Sequence, residues 1–145
     1  KDSMVDEWSG DYGCGVKYFS QDSVIKLAPA AGIELDESLS PAEKLKVVQK
    51  LMAEGDERAA KIYDTIGVYF GNTIAYYAMF YDIKHVIIMG RVTSGDGGTI
   101  ILDRANEVLE KEYPELAKKI TLHIPDEKSR RVGQSVAAAS LPKLK

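Results

Sequence analysis

Residues 1–15 hold Gly10, Gly13 and Gly15 around Trp8, Tyr12 and Cys14 and read as loop; from Ser20 to about residue 81, apart from a polar connection, apolar positions return every three or four residues, the period of helices. At 85–89 and 120–124 they run together or alternate, the period of strands. Within the helical part, Ser20 can cap a short helix with Val24, Leu27 and Ala28 on one face, ended by Pro29 and Gly32. A polar connection over residues 33–39 leads to Ser40-Pro41-Ala42-Glu43, a capping box with proline at the first helical position. Leu45, Val48 and Met52 follow at helical spacing, and Gly55-Asp56 punctuates. Ile62, Ile66, Tyr69/Phe70, Thr73/Ile74, Tyr77 and Tyr81 then predict a long helix from Glu57 to Tyr81, roughly 37 Å at 1.5 Å per residue. Its second half is apolar nearly all round, which predicts cover on several sides.

His85-Val86-Ile87-Ile88-Met89 is short, apolar and rich in β-branched residues, and reads as a buried strand. A glycine-rich turn, Gly90 to Gly98, separates it from a helix over about Thr99 to Glu112, with Ile101, Ala105, Val108 and Leu109 inward. Pro114 opens a further helical turn. Ile120, Leu122 and Ile124 alternate with Thr121 and His123, a second strand that Pro125 stops. Ser129 to Leu141 reads as a closing helix, with Val132, Val136 and Ala139 inward and Gly133 and Ala137 allowing close packing. Strand, turn, helix, strand is one right-handed βαβ unit with parallel strands. The fold class is therefore α/β, helix-rich with a short parallel βαβ unit. Two strands do not make a stable parallel sheet alone, so further strands are expected outside the chain or from a partner. Together with a start at Lys1 that carries no strand or cap signal, this predicts that residues 1–145 are one domain or a piece of a longer protein.

Composition narrows the function. The 19 basic and 22 acidic residues give a net charge of −3, which argues against a module held to nucleic acid by phosphate attraction. The single cysteine, Cys14, excludes an internal disulfide and a cysteine-only zinc site, and fits a cytoplasmic location. The longest uncharged run, Thr65 to Tyr81, holds two glycines and falls short of the ~20 apolar residues of a membrane span.

The Gly90–Gly98 turn is the leading candidate for chemistry. Ligands of open α/β sheets bind where strands end and helices begin, and free N–H groups there suit a phosphate or a polar ring edge. The competing reading is a βα loop that simply needs glycine. Neither the dinucleotide fingerprint nor a P-loop is present. Asp6, Glu7 and Asp11 flank Trp8 and Tyr12, a pattern open to acid–base work but commoner as solvated loop. No metal-ligand spacing connects His85 with His123, which read as core or edge histidines. Tyr76, Tyr77 and Tyr81 read as helix packing, and no nucleophile arrangement is legible.

Two stretches resemble one family. Glu7-Trp8-Ser9-Gly10-Asp11-Tyr12-Gly13-Cys14 is similar to the zinc knuckle of the ROK sugar kinases and repressors, Cys-x-Cys-Gly-x-x-Gly-Cys, with Gly10, Gly13 and Cys14 matching. Tyr18-Phe19-Ser20, leading into a helix, resembles the continuation of that motif. Val86-Ile87-Ile88-Met89-Gly90-Arg91-Val92-Thr93 is similar to the family's strand followed by Gly-Gly-Gly-Val-Ser, and Gly133-Gln134-Ser135-Val136-Ala137-Ala138 to its closing Gly-Ala-Ala helix. Order and spacing agree over nearly the whole chain.

The resemblance implies the later part of the C-terminal ribonuclease H-like lobe of an actin/hexokinase-like ATPase. It implies ATP, with magnesium, in the intact protein, and a hexose or related sugar as phosphoryl acceptor. Gly90, Arg91, Thr93, Ser94 and Gly95 would then be nucleotide-binding. The family's phosphate loops and catalytic base would precede Lys1, so no catalytic residue is assigned here and the missing N-terminal part is a partner. A homodimer is a further expected partner; nucleic acid and membrane are not. Three departures shape the reading. Glu7 and Ser9 replace two knuckle cysteines, so no zinc and no metal site are expected. Val16 stands where the family has a sugar-contacting glutamate. Met89 and Arg91 flank Gly90 where the family has glycines. The alternatives are a non-catalytic sugar-sensing regulator and an interaction module on the same fold.

Overall fold

A computed structural model describes residues 4–126 together with Ser129, Val132 and Gly133. Two short helices come first, α1 (Val16–Phe19) and α2 (Gln21–Leu27). Ser20 ends the first and caps the second, its hydroxyl accepting from the Asp22 N–H. The first of these helices carries no periodic signal long enough to read. A 3₁₀ turn, Pro29–Ala31, closes on Gly32 in the left-handed conformation. Helix α3 (Pro41–Ala53) starts on the capping box, with the Ser40 N–H donating to Glu43 Oε2 at 2.9 Å. That bond and the Ser40 hydroxyl hold the Glu43 carboxyl below the usual range.

Helix α4 (Glu57–Tyr77) is capped by Asp56, which accepts from the Arg58 N–H. Its 21 residues span about 31 Å, one turn shorter than the apolar pattern predicts. Ile74 is its last buried residue, and the chain leaves the helix through turns at 78–80. The expected cover on several sides is also absent among the described residues: Tyr76, Tyr77, Met79, Phe80 and Tyr81 are exposed. An all-apolar stretch reads as buried only while something packs on each side, and past Ile74 the described residues leave these side chains exposed.

Strand β1 (His85–Ile87) pairs in parallel with β2 (Thr121–His123), in the register His85↔Thr121, Val86↔Leu122, Ile87↔His123. The expectation of a buried first strand is corrected. Ile87 and Met89 are 61% and 64% exposed, while Val86 joins the core, so the strand is covered on one face. Between the strands lie a 3₁₀ turn (Arg91–Thr93), α5 (Asp96–Glu112) and α6 (Pro114–Ala117). Helix α5 begins three residues before the expected Thr99, so Gly97 and Gly98 lie inside its first turn rather than ahead of it. Of the closing helix, Val132 is exposed rather than inward, and Gly133 has open space beside it. Val136, Ala137 and Ala139 lie outside the described residues, as do Gln134, Ser135 and Ala138.

The core has two parts. Val24 of α2 and Ala28 just after it, Leu45, Val48 and Met52 of α3, and Ala59, Ile62, Tyr63 and Ile66 of α4 form the larger, with Ile33, Val92 and Ile101. Ile74, Ala105, Leu109, Ile120 and Leu122 form the smaller, on which Val86 packs; Phe70 touches both. The most extensive contact between elements is α4 against α5. Gly67 and Gly71 make it: a β-carbon at Gly67 would lie 2.7 Å from Arg104 Cβ, and one at Gly71 2.7 Å from Val108 Cβ. No described helix is long and apolar enough to cross a membrane.

Candidate functional site

The predicted turn is built from two kinds of glycine. Gly90 sits just past the C-terminal end of β1 at φ +124°, and Gly95 caps α5 at φ +66° and ψ −155°, conformations that side chains rarely adopt. A β-carbon at either would meet open space, so backbone shape alone requires glycine there. Gly97 and Gly98 are packing residues. A β-carbon at Gly97 would run into the Tyr63 ring, and one at Gly98 would stand 2.5 Å from the Thr93 carbonyl oxygen. Tyr63 is buried, which pushes its phenol up to about 12.

The five residues expected to bind nucleotide are neighbours with different duties. Gly90 and Arg91 are exposed at the rim of a cleft of about 500 Å³. Thr93 is buried, and its hydroxyl donates to the Gly90 carbonyl at 2.8 Å, which ties the turn to itself. Ser94 is half-buried and donates its N–H to the Arg91 carbonyl at 3.2 Å. Gly95 is exposed at the start of α5, whose first N–H groups lack helical acceptors. Gln49 of α3 braces the turn from outside, its amide donating to the Arg91 carbonyl at 3.0 Å. Forty-two positions separate that pair, and no sequence signal joins them.

The opposite wall of the cleft is the knuckle-like segment. Val5 and Tyr12 pair in an antiparallel bridge, and residues 7–9 turn between them. Inside the turn, Asp6 Oδ2 accepts from the Ser9 N–H at 2.9 Å and from its hydroxyl at 3.0 Å, which holds the Asp6 carboxyl below its usual value. Ser9 Oγ stands 3.5 Å from Cys14 Sγ. Glu7 is taken up elsewhere. Lys17, 2% exposed at the head of α1, donates to Asp22 at 2.8 Å and to Glu7 at 2.5 Å. Those two carboxylates raise the ammonium's pKa far above its ordinary value, and Lys17 in turn lowers that of Glu7. Lys17 is a residue the sequence reading missed; a lone lysine before a short helix carries no mark of burial. Trp8, at the tip of the turn, is 97% exposed and lines the same cleft. Val16 is exposed there too.

Two other features stand apart. A groove of about 440 Å³ is lined by Tyr18, Phe19, Tyr69, Tyr76 and Tyr77. Two of its polar side chains are engaged: the Asn72 amide donates to the Val68 carbonyl and accepts from the Tyr113 hydroxyl, and Thr73 donates to the Tyr69 carbonyl. On the outer face of the sheet, His85 Nδ1 and His123 Nε2 lie 3.0 Å apart. The parallel register brings together two histidines that linear spacing leaves unconnected. Among the described residues, no group of three or more His, Cys, Asp or Glu side chains is placed to hold a metal ion.

No family model matches the chain, and neither a curated protein nor a solved structure matches it.

Proposed function

We propose that the chain is the nucleotide-side portion of a ROK-like sugar kinase, the later part of its C-terminal ribonuclease H-like lobe. The intact protein would transfer the ATP γ-phosphoryl group to a hydroxyl of a hexose or related sugar, with residues 1–145 alone inactive. The observation that carries this reading is Gly90. It follows a parallel strand by three residues, adopts a glycine conformation, and leaves open space on a cleft shared with Arg91. A ligand can rest on backbone there, and the exposed Arg91 guanidinium is available to a phosphate. Thr93 would act by holding the turn, since its hydroxyl is committed to Gly90. Magnesium would arrive with the nucleotide, and the family's catalytic base and phosphate loops would come from the segment before Lys1.

A non-catalytic sugar-sensing regulator is the second reading. The replacement of the knuckle's metal ligands by hydrogen bonds and an ion pair favours it, as does Val16, which cannot accept a bond from a sugar hydroxyl.

Titrating Mg·ATP into the full-length protein tests the first reading. Saturable binding is expected, and Arg91→Ala, which leaves the backbone of the turn alone, should weaken it without moving the denaturant midpoint, whereas Gly90→Val, strained by the φ of +124°, should lower both. Absence of nucleotide binding in the folded full-length protein overturns the proposal. Sugar binding without ATP-dependent turnover selects the regulator. A coupled assay of residues 1–145 alone should show no hexose phosphorylation.

A further inference from the structure

We propose that His85 and His123 form a two-histidine site for a divalent transition-metal ion, copper(II) or nickel(II) in preference to zinc. The backbone sets the pair. In a parallel ladder, residues on one face lie at alternate positions, and the register sets His85 opposite Thr121 and Ile87 opposite His123. The two histidines therefore stand diagonally on the face of the sheet that no described residue covers. Ladder bonds lock them at each side: the Ile88 N–H donates to the His123 carbonyl at 2.8 Å, and the Thr121 N–H to the Lys84 carbonyl at 2.9 Å. Both side chains are exposed, their ring centroids are 5.2 Å apart, and the ring planes meet at 42°.

The nitrogen separation lets one ion bridge the pair, and copper(II) stands highest in the ordinary affinity order for such ligands. Imidazole nitrogens bind such ions at about 2.0–2.1 Å, so two of them subtending 90° at a metal lie about 2.8–3.0 Å apart, and two at the tetrahedral angle about 3.3–3.4 Å. His85 Nδ1 and His123 Nε2 are 3.0 Å apart. That span fits two adjacent corners of a square-planar or tetragonal ion, the geometry of copper(II) and nickel(II). Without metal, one ring donates its N–H and the other accepts. With metal both nitrogens must offer lone pairs, so the donor ring moves its proton to its other nitrogen, and the neutral pair releases no net proton. No third His, Cys, Asp or Glu joins the pair among the described residues, so water takes the remaining positions.

Copper(II) titrated into the chain, followed by electron paramagnetic resonance, tests the site. The Cys14→Ser variant serves as background, so that the thiol does not compete. The expected spectrum is axial, with hyperfine splitting from two nitrogens. His85→Ala and His123→Ala should each weaken binding by roughly tenfold or more, the scale on which metal sites respond to loss of supporting groups. Both histidines are exposed, so these variants should fold, which circular dichroism checks. Nickel(II) should raise the melting temperature of the Cys14→Ser chain, since metal held across β1 and β2 stabilises the folded state by mass action, and should leave the double-histidine variant unmoved. Unchanged copper affinity in a folded double variant overturns the site, as does a signal from one nitrogen. Tighter binding of zinc than of nickel overturns the stated preference.

Discussion

The α4–α5 crossing and the β1–β2 pair meet in the smaller core cluster, yet they are finished to different degrees. At the crossing, Gly67 and Gly71 bring one helix onto Ile101, Arg104, Ala105 and Val108 of the other, with no room for even a methyl group. At the sheet, Val86 and Leu122 face this packing while His85, Ile87, Met89 and His123 face outward. Parallel sheets are ordinarily covered on both faces. The difference teaches that packing is divided along this chain: the helices supply a closed core, while among the described residues the sheet presents an open face and a turn.

The largest test of the contrast is Ile66→Ala. Ile66 is 1% exposed and lines, with Phe70, Val86 and Ile101, an apolar cavity of about 200 Å³ between the helices and β1. Removing a buried isoleucine to alanine costs about 2–5 kcal/mol. Urea melts of wild type and variant measure this. A loss below about 1 kcal/mol would make α4 peripheral and dissolve the contrast.

Gly71→Ala comes next, and its sign is the informative part. Helix propensity alone favours alanine by about 1 kcal/mol. Overpacking opposes it, at about 1–3 kcal/mol, because the new β-carbon would lie 2.7 Å from Val108 Cβ and 3.0 Å from the Ala105 carbonyl oxygen. The net expectation is destabilisation of about 1 kcal/mol, read in the same melts. A stabilised variant would show that the helices separate freely.

How much of this was legible follows the same line. The inner face of α5, Ile101, Ala105, Val108 and Leu109, and the α3 stripe are visible in the sequence, because burial on one side of a helix writes a 3.6-residue period. The end of α4 was not visible, since Tyr76 to Tyr81 are apolar whether or not anything covers them. The glycine-rich turn was visible as glycine but not as two jobs; only the positions of Tyr63 and Thr93 separate packing at Gly97 and Gly98 from backbone shape at Gly90 and Gly95. Lys17 takes its partners from ten and five residues away without any periodic mark, and the histidine pair depends on a strand register across 38 positions; period and spacing encode neither.

Acid provides a smaller test, on the wall of the cleft. Asp6 and Glu7 have lowered pKa values in the folded chain, so their contribution is present above the ordinary carboxylate range and lost as pH falls through the folded values. Lys17 is raised, so its contribution is complete below its ordinary value and constant through the acid range. The melting temperature should therefore hold from pH 7 to about 5 and fall below about 4. Glu7→Gln should flatten part of that fall. A fall of the same depth in the variant would place the acid-sensitive groups elsewhere.

The smallest expected effect is the sharpest, because it uses the same residue type beside the same cavity. Ile87 borders the space that Ile66 borders, but it is 61% exposed against 1%. Ile87→Thr keeps the β-branched shape that suits a strand and removes little buried apolar area, so the stability should move by no more than about 0.5 kcal/mol. The comparison with Ile66→Ala then isolates burial from residue type. A loss from Ile87→Thr above about 1 kcal/mol would mean that the outer face of the sheet is covered in solution. Its melting temperature would then depend on protein concentration if a second copy of the chain supplied that cover. Concentration-independent loss would instead place a segment of the same chain on the face, and His85 and His123 would no longer be open to solvent. Melts of the wild type and Ile87→Thr at two concentrations tenfold apart distinguish these outcomes, and agreement within 0.5 kcal/mol at both keeps the open face, with its histidine pair, as described.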